Sequence, residues 1–234
     1  MPEDARPELS VVIPAFNEQE SLEGTVKAVV AALPEPARSE LVIVDDGSSD
    51  DTLAVARSLS TSCPAAVRVV ARSVNGGMGQ ALASGFEQAT GEVLTWIPGD
   101  GEYSLSEVLA GLPDLQRADI VLVRRGARGQ TARNIVSTVM YTLIRALFGF
   151  NARNYCGIFV VGRDRWDELA IRSRDVFFTL EVALRARHRR WELAYVEAEW
   201  RPRTSGRSKV FRPSVLVRNL VELLHFRVLL WTGR

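Results

Sequence analysis

Residues 41–49 read LVIVDDGSS: four aliphatic side chains in a row, then two acids, a glycine and two serines. So short and unbroken an apolar run suits a strand buried on both faces of a parallel sheet. Asp-Gly-Ser after it is turn and helix-cap chemistry. The same grammar recurs on either side. Residues 11–18 (VVIPAFNE) run from a strand into a turn with an acid at the start of a helix. After the apolar run at 67–71, residues 75–82 (NGGMGQAL) form a glycine-rich turn opening a helix. The run at 93–97 leads into 97–103 (IPGDGEY), which again ends in acids, and 120–123 is a fifth run. Helix-like stretches fill the gaps, at about 18–33, 51–59, 79–89 and 106–112. Strand–helix alternation at this spacing predicts an open, mostly parallel α/β sheet with right-handed crossovers, flanked by helices. Ligands of such sheets bind beyond the carboxyl ends of the strands, where all four polar motifs fall.

Past Arg125 the pattern changes. Residues 131–148 predict a long amphipathic helix, 155–161 a strand, 177–189 a helix and 193–200 an alternating strand. A polar loop (201–209) and a closing helix at about 213–231 follow. Arg218, Glu222, His225 and Arg227 interrupt that last helix, so it falls short of the roughly 20 apolar residues a spanning helix needs. It is expected to rest on the core or on a bilayer interface. No repeat or linker divides the 234 residues, which suit one domain.

Net charge is +1, which speaks against a generally basic nucleic-acid binder, but its distribution is lopsided. Residues 1–120 carry 7 basic and 19 acidic side chains; residues 121–234 carry 22 and 9. Either the halves neutralise each other within the fold, or the second half handles anions such as phosphates or a lipid surface. Two cysteines, Cys63 and Cys156, make no disulfide framework, and the polar start Met1–Ser10 reads as no signal peptide, so a reducing, cytoplasmic setting is expected. Two histidines exclude a polyhistidine zinc site. The glycine turn lacks the third glycine of GxGxxG, and neither GxxxxGK[ST] nor GxSxG occurs. Four successive strand ends bearing polar or acidic groups look instead like a nucleotide-sugar site, whereas any one of them alone reads equally well as a turn or cap.

In this combination the chain resembles the family 2 glycosyltransferases of GT-A fold, and within them the dolichyl- and polyprenyl-phosphate sugar synthases. The likeness runs through nearly the whole chain. Residues 119–125 (DIVLVRR) resemble the family's strand ending in Gly-Ser-Arg, Cys156–Gly157 its Cys-Gly or Ser-Gly, and 177–184 its acid-containing helix, through Glu181. Residues 196–209 (VEAEWRPRTSGRSK) resemble its signature loop of arginine, glycine and Ser-Lys. The resemblance implies a nucleotide-sugar-binding half at 1–125 and an acceptor-binding half at 126–234. It implies that Pro14, Ala15 and Glu18 line the nucleoside pocket, that Asp46 hydrogen-bonds the base edge, and that Gly77 and Gly79 let the backbone approach the donor. It implies a metal at Asp100, Mg2+ or Mn2+, with Glu102 as a second carboxylate where glutamine is usual. Arg125, Arg203 and Lys209 would meet the donor diphosphate and acceptor phosphate, Ser208 joining them at the latter.

Two departures bear on activity: Pro98 stands where the family's first metal-motif aspartate would be, and Met78 where its glycine turn often has lysine. Magnesium commonly takes only one or two carboxylates plus substrate phosphates, so Asp100 with a bound diphosphate suffices in principle. A phosphomonoester, its second pKa near 6, is already an anionic nucleophile at neutral pH and needs guiding cations more than a base. That suits a chain rich in arginine with no evident catalytic histidine. Three readings follow: an inverting transferase from a GDP- or UDP-linked sugar to a polyprenyl phosphate at the cytoplasmic face of a membrane, the same chemistry on a non-lipid acceptor, or a nucleotide-sugar-binding protein without turnover. Glu181 is either an orienting group or base, or the salt-bridge partner of Arg185 four residues on.

Overall fold

The computed structural model describes residues 6–126, 135–174, 177–202, 223–224 and 226–228. Seven strands, β1 (Leu9–Ala15), β2 (Ser39–Asp45), β3 (Ala66–Ala71), β4 (Val93–Trp96), β5 (Ile120–Arg125), β6 (Tyr155–Gly162) and β7 (Leu193–Ala198), form one sheet in the order β3-β2-β1-β4-β6-β5-β7. Only β6 runs against its neighbours, so the other six strands end on the same edge. The sheet is mostly parallel and carries helices, as expected. Every residue of β2 is buried, which is what the aliphatic run required. The edge strand β3 departs from the expected two-faced burial: its residues are half-buried or exposed.

Helices α1 (Leu22–Ala32), α2 (Thr52–Ser62), α3 (Met78–Gln88) and α4 (Leu105–Leu109) connect the first five strands, α5 (Ile135–Phe148) precedes β6, and α6 (Arg163–Leu169) and α7 (Phe178–His188) lie between β6 and β7. α1 buries Leu22, Thr25, Val26 and Val29, one face at helical spacing. α3 lies so close on the sheet that a Cβ at Gly85 would stand 2.3 Å from Val12 Cγ1, so only glycine fits there. The rings of Phe86, Phe159, Trp166 and Phe178 meet with centroids 4.4–6.2 Å apart, joining α3, β6, α6 and α7.

Several elements differ from expectation. α1 starts at Leu22, because Glu18 O first closes a turn with the amides of Ser21 and Leu22. The helix expected at 106–112 ends at Leu109 and gives way to a 3-10 turn, Leu112–Gln116, with Pro113 near its start. The short helix α6 and a 3-10 turn at Pro36–Arg38 were not foreseen. Of the expected closing helix, Leu223–Leu224 and Phe226–Val228 are described and helical. Among the described residues, no helix is long and apolar enough to cross a membrane.

Candidate active site

The chain leaves β1 for β2 and β3 on one side and returns to β4 on the other, so the sheet order switches between β1 and β4. At such a switch point the loops diverge and leave a crevice beyond the strand ends. Backbone bonds tie the tips together: Ala15 O accepts from Asp46 N (2.9 Å), and Pro14 O from Gly99 N (3.1 Å). Pro14 and Ala15 therefore form the floor between the β2 and β4 loops.

Glu18 follows β1 in the first loop. Its amide donates to Thr52 Oγ1 (2.8 Å), and Ser21 Oγ lies 2.5 Å from Glu18 Oε2 and 3.2 Å from Gly99 O. The Glu18 carboxylate is thereby oriented by the loop it shares with the β4 tip. On that tip Asp100 is buried, and its Oδ1 accepts the amide of Glu102 (3.0 Å) across Gly101, whose φ is +73°. The two carboxylates on this turn are hard oxygen donors, the kind Mg2+ and Mn2+ take alongside phosphates and water, so this pair of residues fits such an ion. No cluster of three or more His, Cys, Asp or Glu suited to a metal occurs among the described residues.

The adjacent acids of β2 differ in environment. Asp46 Oδ1 accepts from Arg72 Nε (2.8 Å) and Gly76 N (3.1 Å), and Oδ2 from Gly77 N (2.7 Å). Arg72 also reaches Gln80 Oε1 (2.5 Å) and Ser84 Oγ (2.9 Å) on α3. Asp46 thus holds the glycine turn to the sheet, and the amides of Gly76 and Gly77 point at it. Gly77, at φ +85°, launches α3, and Gly79 is buried in its first turn. Asp45 is 2% exposed, and its Oδ1 has no hydrogen-bond partner; Oδ2 makes one long contact to Ser48 N (3.4 Å). A buried carboxylate oxygen left unpaired costs roughly 1–3 kcal/mol or more, and at a strand tip it is an acceptor awaiting a donor. The sequence points to Asp46 and not to Asp45; two adjacent acids carry no signal that separates them, since the difference is made by Arg72, 26 residues from Asp46.

A β-bulge between Leu122 and Arg124 lies at the end of β5. Bulges bend a strand and re-aim its side chains. Arg124 stacks on the Tyr195 ring (3.5 Å to its centroid), whereas Arg125 Nε donates to Tyr103 Oη (3.2 Å). Burial holds the Tyr103 phenol up at about 12 and the Cys156 thiol at about 11, and raises Tyr155 well above its ordinary 10. All three groups stay neutral at physiological pH. The two terminal guanidinium nitrogens of Arg125 have no hydrogen-bond partner among the described residues. A charged, planar fork of this kind is suited to phosphate oxygens.

Glu181 is 1% exposed and engaged within the protein: Oε1 takes Arg185 Nε (2.5 Å) and Oε2 the amide of Ser173 (2.7 Å), with Arg172 N 3.3 Å from both oxygens. Arg203, Ser208 and Lys209 lie outside the described residues. The chain enters that segment from beside the β4 tip, since Arg201 N donates to Glu102 O (2.8 Å) and the Arg201 guanidinium pairs with Glu107 (2.7 Å). Glu199, in the same stretch, has a buried Oε2 without a hydrogen-bond partner, and no sequence motif marks it.

Comparison with known proteins agrees with this fold. The family model described as Glycosyl transferase family 2 matches residues 10–179. The dodecaprenyl-phosphate galacturonate synthase of Rhizobium johnstonii is 33% identical over 153 residues, 63% of this chain but only 45% of that protein's length. The polyprenol monophosphomannose synthase of Mycolicibacterium smegmatis is 28% identical over 214 residues, 86% of this chain and 80% of that protein. Among solved structures, glucosyl-3-phosphoglycerate synthase of Mycobacterium tuberculosis, in complex with Mn2+, UDP-glucose and phosphoglyceric acid, superposes with a TM-score of 0.72 at 19% identity, over 95% of this chain and 80% of that one. That likeness is one of fold.

Proposed function

Because the chain belongs to glycosyl transferase family 2, we propose that it moves a sugar from a nucleoside-diphosphate sugar to a polyprenyl phosphate, inverting the anomeric centre. The observation that carries this reading is the Arg125 guanidinium, held through Nε by the neutral Tyr103 phenol and with no other hydrogen-bond partner among the described residues, on the same sheet edge as the acids of the β1, β2 and β4 loops. Such an edge offers acids to a nucleoside and a divalent ion, and a cation to phosphates. Relatives named for polyprenyl- and dodecaprenyl-phosphate products support the lipid acceptor.

In this reading the nucleoside lies over Pro14 and Ala15. The unpaired Asp45 oxygen accepts an N–H from the base edge, and Glu18, oriented by Ser21, accepts from ribose hydroxyls. Asp46 acts indirectly, holding the glycine turn against the donor crevice. Asp100, with Glu102 beside it, would hold Mg2+ or Mn2+ against the donor diphosphate, and such an ion when bound supplies charge neutralisation to the leaving group. An oxygen of the acceptor phosphate attacks the sugar C1 as the bond from C1 to the β-phosphate oxygen breaks. The nucleoside diphosphate leaves with its negative charge, and Arg125 stabilises that charge as it develops. The acceptor is already anionic, so no general base is required, and Arg203, Ser208 and Lys209 are assigned to steer its phosphate. Contact with the cytoplasmic face of a membrane is peripheral in this proposal.

The test is a transfer assay with labelled UDP- and GDP-sugars, polyprenyl phosphate, and Mg2+ or EDTA. The expected result is label in an organic-extractable, acid-labile product. Label entering only water-soluble products would replace the lipid acceptor with another. Tight donor binding indifferent to metal, with no transfer or hydrolysis, would leave a binding protein.

A further inference from the structure

A groove of about 750 Å³ lies on the flank of the edge strand β7, away from the strand tips. Its floor includes Leu193, which pairs with Ile120 at the amino end of β5, and Tyr195. The end of α7, the end of α5 and Arg227 wall it. Among the described residues that line it, Arg187, His188, Arg190 and Arg227 face one acid, Glu192, while Leu147, Phe148 and Leu184 make its apolar side.

The dipole of α7 accounts for part of this charge, since cations are favoured at a helix C-terminus. It does not account for three further features. First, α7 ends in a Schellman motif, with Trp191 N donating to Ala186 O and Arg190 N to Arg187 O (both 3.1 Å). The left-handed position of that motif, where glycine is usual, holds Arg190 at φ +60°. Second, Arg227 comes from another part of the chain. Third, of the five large hydrophobic residues exposed among the described residues, Tyr195 lines the groove, and Leu224 (47% exposed) and Val228 (54%) sit three and one residues from Arg227. In that helical piece Leu223 and Phe226 face inward, and Phe226 meets Phe148 and Phe177. Leu224, Arg227 and Val228 share the opposite, exposed face.

A cation flanked by exposed aliphatic side chains, beside a basic groove with an apolar wall, is the pattern of a surface that meets lipid headgroups and the boundary of the acyl layer. A soluble phosphate would use the arginines but leave Leu224 and Val228 without a reason. We propose that this flank is a docking site for anionic phospholipid, the headgroup phosphates lying on Arg187, Arg190 and Arg227 and the apolar residues entering the interface. It is separate from the strand-tip site and stands whether or not the acceptor is a lipid.

The full chain is floated at low salt with phosphatidylcholine vesicles, with and without phosphatidylglycerol. Flotation is expected only with the anionic vesicles. The triple variant Arg187→Ala, Arg190→Ala, Arg227→Ala should lower vesicle partitioning about a hundredfold, each arginine contributing roughly fivefold. The corresponding lysine variant should keep most of it, and a thermal melt checks that both are folded. Leu224→Ser with Val228→Ser should also weaken flotation. The proposal is overturned if neutral vesicles float the protein equally, if the triple alanine variant floats like the parent, or if glycerol phosphate displaces it from vesicles. Transfer to a detergent-dispersed acceptor is measured in parallel and should be unchanged in the triple variant. Absence of transfer in every form would count against the proposed acceptor while leaving the flotation result decisive.

Discussion

Tyr103, in the loop after β4, and Arg125, the last residue of β5, lie 22 residues apart in the chain and are joined by a 3.2 Å bond from the guanidinium Nε to the phenol oxygen. That bond fixes the guanidinium through Nε and leaves its terminal nitrogens without a hydrogen-bond partner among the described residues. Tyr103→Phe keeps the ring in the core and removes only the anchor. The expected result is a roughly tenfold fall in kcat/KM, about 1.4 kcal/mol, with little change in melting temperature. Arg125→Ala should lose more. Equal activity in Tyr103→Phe and the parent would mean that the phenol has no part in placing the arginine.

Asp45 and Asp46 are neighbours with opposite expected phenotypes. Asp46→Asn weakens the pair with Arg72 and a bond to the glycine turn, so unfolding free energy should drop by about 2–3 kcal/mol. Asp45→Asn removes a buried charge that the protein does not pair, so its stability should hold. Donor affinity in that variant should fall tenfold or more, the worth of one charge-assisted hydrogen bond. Calorimetric titration with UDP and GDP, beside thermal melts of both variants, separates the two.

A divalent ion at the β4 tip requires that EDTA abolish transfer and that Mg2+ or Mn2+ restore it. Asp100→Asn should reduce kcat by about a hundredfold or more, since charge stabilisation of this kind is worth several kcal/mol. Glu102→Gln should chiefly raise the metal concentration needed. If Asp100→Asn retained full, metal-stimulated activity, the ion would have to sit elsewhere.

Alkaline stability follows from two buried acids. The Cys156 thiol rises from 9 to about 11, and the Tyr103 phenol from 10 to about 12, both chiefly through burial. Each holds its proton more tightly folded than unfolded. Their contribution to stability is therefore complete below pH 9 and declines as pH rises through 11 and 12. Denaturant midpoints measured from pH 7 to 11 should fall from about pH 9, and less steeply in Cys156→Ala. In the native protein a thiol reagent at pH 8 should leave Cys156 unmodified until denaturant is added.

Strand positions were legible as short aliphatic runs bounded by turn residues; in β2 two-faced burial demands such a run, whereas the edge strand β3 carries one without that burial. α6 was not legible: only Trp166 and Leu169 of its seven residues are large and apolar, and its N-cap is Gly162, with no capping side chain. What creates it is the aromatic cluster of Phe86, Phe159 and Phe178 around Trp166, a tertiary fact. The acids at the tips were legible as a group because turns after buried strands are short and their side chains conspicuous. Their division of labour was not. Which of two adjacent aspartates is free depends on Arg72, 26 residues away, and the Tyr103 anchor of Arg125 depends on the order in which β4 and β5 join the sheet.

Glu181 was read as either a catalytic group or the partner of Arg185, and its surroundings give the second reading a definite consequence. The pair is buried on both sides, with side-chain exposures of 1% and 10%, and the carboxylate also receives the amides of Arg172 and Ser173. Removing one member of such a pair strands the other, which typically costs about 3–5 kcal/mol, whereas replacing both with apolar groups is often neutral. Glu181→Gln keeps one amide acceptor but leaves the Arg185 charge unmatched, so the melting temperature should fall sharply. The double variant Glu181→Leu, Arg185→Met should recover part of the loss. Turnover per folded molecule, measured below the melting transition, should stay within about twofold of the parent in both. A group acting as base would give the reverse: turnover lost, stability kept, and no rescue by the second substitution.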